Sequence, residues 1–170
     1  MENKALQKIN YGLYIVSAKN GGKFNGQIVN TVFQVTSEPP SVAICINKNN
    51  LTYGYIDKDK AFSVSVLEKE TPMIYIGKFG FKSGKDIDKF VDTKYIIGKT
   101  GVPVVIDWSL AYFECEVISQ TDAGTHAIFI GKVVNEGILQ EDKEALTYEY
   151  YRSIKKGKSP KNAPTFAGNR

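Results

Sequence analysis

Metal ligands are scarce in this sequence: 170 residues hold two cysteines and a single histidine. Cys45 and Cys115 sit apart in the apolar runs VAICINK and AYFECEV, where a free thiol behaves as a small buried hydrophobe. Without paired-cysteine knuckles, or partners for His126, the chain offers no zinc or iron site, so any redox chemistry must rest on an organic cofactor. Long apolar runs are missing too, none approaching the roughly 18 residues of a membrane span. The start, MENKALQKIN, has no hydrophobic secretory core, and the expectation is a cytoplasmic protein. Nor is there an excess of one charge: 22 Lys and Arg against 18 Asp and Glu leave +4. Much of that sits in RSIKKGKSPK (152–161), which reads either as a solvated tail or as a docking patch for an acidic partner. The other basic residues are scattered and do not interleave with aromatics, which disfavours nucleic-acid binding.

What is present suits one globular domain, since 42% hydrophobic residues in a chain of this length can bury a core without disulfides or metal. Short β-rich runs separated by turn residues dominate. YGLYIVSA (11–18) reads as the first strand, ended by the turn NGGKFNG (20–26), and QIVNTVFQVT (27–36) as the second, stopped by SEPP. SVAICIN (41–47) is apolar enough to be buried on both faces, and AFSVSVLE (61–68) alternates. PVVID, SLAYFECEVIS (109–119) and THAIFIGKVVNEGIL (125–139) follow, the last two as a hairpin around QTDAGT. Three short helices are expected: one in NLTYGYID (50–57), one in TPMIYIGKF with Thr71 as cap and Pro72 in the first turn, and one opening at Ser83 in KSGKDIDKF. EDKEALTYEYY has the start of a further helix, and GKSPKNAPTFAGNR is extended or loose. Six or seven mostly antiparallel strands form either a barrel or a sandwich.

Polar residues gather in three places. NGQIVNTVFQVTSEPP (25–40) sets Gln27, Asn30, Thr31 and Gln34 into a strand, although a buried amide without a partner costs roughly 1–3 kcal/mol. Alternation would put Asn30 and Thr31 on opposite faces. INKNNLT (46–52) packs Asn47, Lys48, Asn49, Asn50 and Thr52 together, as either a donor-rich phosphate and polyol site or an ordinary polar turn. GFKSGKD (80–86) is one residue short of a nucleotide phosphate loop and has Asp where Ser or Thr should bind magnesium. It remains either an anion site, with Lys82, Ser83 and Lys85 at a helix start, or a capped surface helix.

These stretches, with FSVSVLEKETPM, IGKFGFKSGKDIDKF, GTHAIFIGKV and TYEYYRSIKKGKSPKNAPTF, resemble the flavin reductase-like family, the domain of NADH:rubredoxin-type oxidoreductases, high-molecular-weight rubredoxin and flavoredoxin. The resemblance implies one mainly β, antiparallel FMN-binding split β-barrel over residues 1–166, with short inserted helices and a tail at 167–170. It further implies a homodimer with FMN near the subunit interface. Gln27, Asn30, Thr31 and Val32 would contact the flavin ring or ribityl chain. Lys48, Asn49 and Thr52, together with Phe81, Lys82, Ser83 and Lys85, would hold the phosphate. His126 matches a histidine near the flavin and the nicotinamide, and is the candidate catalytic residue. The activity implied is hydride transfer from NADH or NADPH to FMN, bound or as a substrate, and onward electron transfer to rubredoxin, a flavodiiron partner, free flavin or ferric complexes. The alternative is a non-catalytic, flavoredoxin-like electron carrier. The iron-binding domain of high-molecular-weight rubredoxin has no matching cysteines here, which implies a separate acceptor, for instance an acidic electron carrier. Neither nucleic acid, membrane nor metal is expected at the site.

Overall fold

A computed structural model describes residues 5–166, so the expected tail at 167–170 lies outside the described residues. A seven-stranded antiparallel sheet forms the body. Its strands are β1 (Tyr14–Asn20), β2 (Lys23–Val29), β3 (Val32–Ser37), β4 (Pro40–Asn47), β5 (Ala61–Leu67), β8 (Ser109–Ala123) and β9 (His126–Ile138), in the order β2-β1-β5-β8-β9-β4-β3. The short strands β6 (Tyr95–Ile97) and β7 (Pro103–Val105) pair separately. Helices α1 (Leu51–Asp59), α2 (Met73–Gly80) and α3 (Tyr148–Ser153) are inserted between or after strands.

β2 and β4 lie far apart in the strand order, yet Val29 of β2 packs with Val42 and Ile44 of β4 in one apolar cluster. The sheet therefore rolls on itself, as a split β-barrel, around a core that includes Phe62, Val64, Cys115 and Phe129. Burying a side chain such as Phe129 contributes about 1.5–3 kcal/mol. The other face of β1 and β5 is covered as well: Ile15 and Leu67 join Ile76 and Phe79 of α2, Phe90, Val105 and Tyr151 in a second cluster. Burial on both faces suits the apolar first half of β1, where Ile15 and Val16 are fully buried on opposite sides. It also accounts for the alternating serines of β5, since fully buried Ser63 and Ser65 donate to the carbonyls of Pro103 and Val105, each at 2.7 Å.

Several expected elements differ. The run 27–36 is two strands, broken at Asn30 and Thr31, and the expected turn 20–26 shrinks to Gly21 and Gly22, because Asn20 pairs with Lys23 and Phe24 onward extends β2. β8 runs on to Ala123, which pairs with His126 across a two-residue turn; Gly124 there has φ +74°, which suits glycine. Thr71 does not cap α2: it is buried and its hydroxyl donates to the Glu68 carbonyl at 2.6 Å. The expected helix at Ser83 does not form. Side chains compete for its backbone instead, Ser83 accepting from Lys85 N at 3.1 Å and Asp88 from Phe90 N at 2.9 Å, and the chain makes successive turns. Of the cysteines, Cys115 is fully buried, with its thiol pushed up to about 12 by burial and by Glu114, while Cys45 is half-buried. Among the described residues no helix is long and apolar enough to cross a membrane.

Candidate functional site

A cavity of about 330 Å³ opens where four segments converge. β2 and the residues after it supply Asn25, Gln27 and Asn30; the turn into α1 supplies Asn49, Asn50 and Thr52. The end of α2 and the following loop contribute Phe81, Lys82, Ser83, Lys85 and Lys89, and the C-terminal segment contributes Lys158, Ser159, Lys161, Asn162 and Thr165. Leu13, Ile76, Phe79 and Tyr151 of the second core cluster form the apolar floor. Backbone bonding builds the turn before α1, with Asn47 Oδ1 accepting from Asn49 N at 2.9 Å. β2 is tied to α1 by Asn25 Nδ2 donating to the buried Thr52 hydroxyl at 2.8 Å. Gly84 lies so close to Asn25 that a Cβ there would overlap the amide, which fixes the loop over the strand.

The fourth wall is the unexpected one. Far from being a solvated tail, residues 158–165 are fastened across the cavity. Asn30 Nδ2 donates to Thr165 Oγ1 at 2.9 Å, Asn162 Nδ2 to Asn50 Oδ1 at 3.0 Å, and the Tyr151 hydroxyl to the Lys158 carbonyl at 2.8 Å. Tyr148 and Ser159 also share a hydroxyl contact. The irregular path is held by side chains on the Lys158 and Asn162 carbonyls and by backbone turns from Ala163 N to the Pro160 carbonyl and from Phe166 N to the Ala163 carbonyl.

Electrostatics give the cavity its character. Five lysines line it (Lys82, Lys85, Lys89, Lys158 and Lys161) and no Asp or Glu does, although the chain has 18 acidic residues. Burial pushes the Lys89 ammonium down to about 8, so this cation is short of compensation. Inside the same cavity the Gln27 side-chain oxygen is buried and has no hydrogen-bond partner. An acceptor lacking a donor, beside cations lacking an anion, fits a ligand that carries both N–H or O–H donors and negative charge.

Eight of the residues singled out in the sequence line this cavity: Gln27, Asn30, Asn49, Thr52, Phe81, Lys82, Ser83 and Lys85. Four stand outside it. Thr31 donates to Asn30 Oδ1 at 3.3 Å, Val32 pairs with Ile44 and packs on the main core, and Lys48 is held 2.6 Å from Asp122. His126 begins β9, paired with Asn47, and both its nitrogens are engaged: Nδ1 with Thr125 Oγ1 at 2.8 Å and Nε2 with the Asn162 carbonyl at 3.2 Å. It thus touches the C-terminal wall rather than the open cavity. Gln34, on the exposed edge strand, donates to the Thr36 carbonyl at 3.2 Å. Asn50, named with the INKNNLT cluster, lines the cavity as well, whereas sequence reasoning missed Asn25, Lys89, Tyr148, Tyr151 and the wall 158–165. The run KSPKNAPT carried a signal in its lysines and amides, but only the tertiary contacts reveal that it folds back. Among the described residues no group of three or more His, Cys, Asp or Glu could hold a metal.

A family model described as the flavin reductase like domain matches residues 6–156. The chain belongs to that family. Among relatives of this flavin reductase-like protein, the high molecular weight rubredoxin of Moorella thermoacetica is 49% identical over 170 residues, covering all of this chain and 74% of the relative. The ferric-chelate reductase (NAD(P)H) of Archaeoglobus fulgidus is 46% identical over 166 residues, covering 98% of each chain. In structure, the NADH:FAD oxidoreductase of Streptomyces globisporus superposes with a TM-score of 0.77 at 23% identity, over 85% of each chain, and so shares the fold. The match to the flavin reductase-like family ends at residue 156, before the wall 158–165, whereas the similarity to the Moorella protein runs through that wall.

Proposed function

We propose that this protein is an NAD(P)H-dependent flavin oxidoreductase that holds FMN in the cavity and passes electrons to rubredoxin, a flavodiiron partner, free flavin or ferric complexes. The observation that carries the reading is the acid-free cavity with five lysines and an orphaned Gln27 acceptor. When bound, FMN supplies the redox chemistry, taking hydride from NADH or NADPH and releasing electrons to the acceptor. Lys82, Ser83 and Lys85 would hold its phosphate through charge-assisted contacts. Gln27 would accept from a ring N–H or a ribityl hydroxyl, and Asn49 offers a further amide beside it. Phe79 closes the floor of the cavity to water, and the exposed Phe81 stands at its rim. Hydride transfer to flavin calls for no side-chain base, in keeping with a site that has no carboxylate pair. His126 would act near the nicotinamide and steady the C-terminal wall through Asn162.

The reading extends to assembly and partners. Edge strand β3 exposes Phe33 (59%) and Val35 (42%), an apolar row that a second copy of the chain would cover as a homodimer. Thr31 lies at the start of that row and would approach the flavin from the interface, with Val32 backing it from the core side. Lys158 and Lys161 at the cavity mouth, together with Lys156, form a basic surface for an acidic electron carrier such as rubredoxin. The test is the visible spectrum of the purified protein, before and after NADH or NADPH is added without oxygen. A flavin spectrum that bleaches supports the reading. A flavin that stays oxidised with both nucleotides yet is reduced by dithionite leaves an electron carrier, and a colourless protein that takes up no FMN removes the flavin altogether. Light scattering at micromolar concentration reads the dimer.

A further inference from the structure

Residues 158–165 close one side of the cavity, yet they are attached to the protein differently from the other walls. β2 pairs with β1 from Lys23 to Val29, and the helices carry fully buried side chains, Ile56 in α1 and Ile76 and Phe79 in α2. From 158 to 166 every residue is exposed or only half-buried. Backbone bonds there stay within the segment, Ala163 N donating to the Pro160 carbonyl at 2.9 Å and Phe166 N to the Ala163 carbonyl at 3.0 Å. Among the described residues, every hydrogen bond from the segment to the body passes through a side chain: Asn30 to Thr165, Asn162 to Asn50, Tyr151 to the Lys158 carbonyl, Tyr148 to Ser159 and His126 to the Asn162 carbonyl.

The segment begins at a pinned point. Lys156 has φ +56°, a left-handed conformation uncommon for a residue with a side chain. Gly157 N then donates to the Tyr151 carbonyl at 2.9 Å, and a Cβ on Gly157 would overlap the Tyr151 ring, so the chain is fixed here against α3. Beyond that point Pro160 and Pro164 restrict the backbone, which lowers the entropy lost each time the segment returns to its place. One net hydrogen bond contributes a factor of about 2–12 to an equilibrium. A segment held by such bonds, with no fully buried side chain to expose, opens without disturbing either core cluster.

We propose that residues 158–165 are a gate, pivoting at Lys156 and Gly157, whose opening sets the rate at which flavin both enters and leaves the cavity. The proposal rests on the flavin reading. A gate differs from a contact to the ligand. Losing a contact speeds release and leaves entry unchanged, whereas weakening the bonds that keep a gate shut speeds both by the same factor, because they break in the free and the bound protein alike. Affinity and residence time are then set by different groups: the cavity lining holds the flavin, and the clasps on the segment decide how long it stays.

Stopped-flow flavin fluorescence measures FMN association and dissociation in the full chain freed of flavin and in three variants. Thr165→Val removes the hydroxyl that Asn30 reaches while keeping the side-chain shape. It should raise both rates together, each about 3–10-fold, with the dissociation constant moving by less than about 2-fold. Asn162→Ala, which breaks the clasp on Asn50, should do the same, and Thr165→Ser, which keeps the hydroxyl, should restore the wild-type rates. Faster release with unchanged association, or unmoved rates in a folded Thr165→Val variant, would overturn the gate. A second measurement needs no variant. In native-state hydrogen exchange on the wild-type chain, the amides of Ala163 and Phe166 should exchange at least about 100-fold faster than that of buried Leu13, which donates to the Leu146 carbonyl at 3.0 Å. Equal protection would mean that the segment opens only with the whole fold, and would reject the proposal. If FMN binds and either result goes against the gate, the gate alone fails; a chain that binds no flavin removes the flavin reading and this proposal with it.

Discussion

Among the described residues Glu114 and Lys89 are both buried charges without an ion-pair partner, and they differ in how completely the protein satisfies them. Glu114, on β8, is fully buried and accepts from Lys99 N at 3.1 Å, Thr100 N at 3.0 Å, Thr100 Oγ1 at 2.8 Å and Asn135 Nδ2 at 2.6 Å. Gly98 packs so tightly on it that a Cβ there would collide with the carboxylate. Burial alone would push its carboxyl up, but the bonds from Asn135, Thr100 and Lys99 outweigh it and hold the group below the usual carboxylate range. Lys89 has two carbonyls, a cavity and no anion. A finished polar network marks a structural joint, which here clasps the loop 98–101 to the barrel. An unfinished one beside a cavity marks a place kept for a ligand.

The comparison can be broken most directly at Glu114. Replacing it with Ala leaves four donors without an acceptor and should lower stability by about 3–5 kcal/mol, read from urea denaturation. Because its folded pKa lies below the unfolded value, its contribution is complete above about pH 4.3 and disappears as pH falls through the folded pKa. The acid loss of stability should therefore be shallower in Glu114→Gln.

Lys89 should show its difference at the alkaline end. A lysine whose folded pKa is lowered favours the unfolded state when protonated, so its penalty is full below about 8 and relieved as pH rises toward the unfolded value of about 10.4. Without flavin, the wild type should gain stability over that interval relative to Lys89→Met, and parallel pH curves would show that the charge is compensated after all. Gln27→Leu sharpens the contrast between a satisfied amide and an orphaned one. Stability without flavin should change by under about 1 kcal/mol while FMN binds about 5–30-fold more weakly, whereas Asn25→Leu, which breaks the bond to Thr52, should destabilise the protein itself. The smallest effect is expected at His126. Its replacement by Ala should slow reduction by nicotinamide with FMN still bound, and release of FMN should quicken a few-fold as the clasp on Asn162 is lost, about 1 kcal/mol. Stopped-flow reduction and release rates would separate the two roles.

Much of the barrel was legible from local pattern. The near-continuous apolar run of β4 announced a strand buried on both faces, and the alternation in β5 announced a strand, although only the structure shows that its serines are buried too. What pattern does not carry is where a long run breaks. QIVNTVFQVT contains no glycine or proline, so the one local hint of a break is Asn30 itself, a poor strand former, and its partner Thr165 lies far away in the chain. The absent helix at Ser83 has the same cause in reverse: its capping pattern was correct as a local preference, but Gly84 must approach Asn25 and Lys89 must turn inward.

The sequence by itself determined the class of the fold and named polar residues that the structure gathers in one place. Apolar periodicity required an antiparallel β fold, the shortage of Cys and His left redox chemistry to an organic cofactor, and polar clusters at Gln27, Asn49 and Lys82 named residues that share one cavity. Only the tertiary structure decided which polar groups are spent on holding the protein together and which remain open. That distinction depends on partners distant in the chain: Asn25 meets Thr52, Asn30 meets Thr165 and Asn50 meets Asn162, while Gln27 and Lys89 are left facing the cavity with bonding capacity unused.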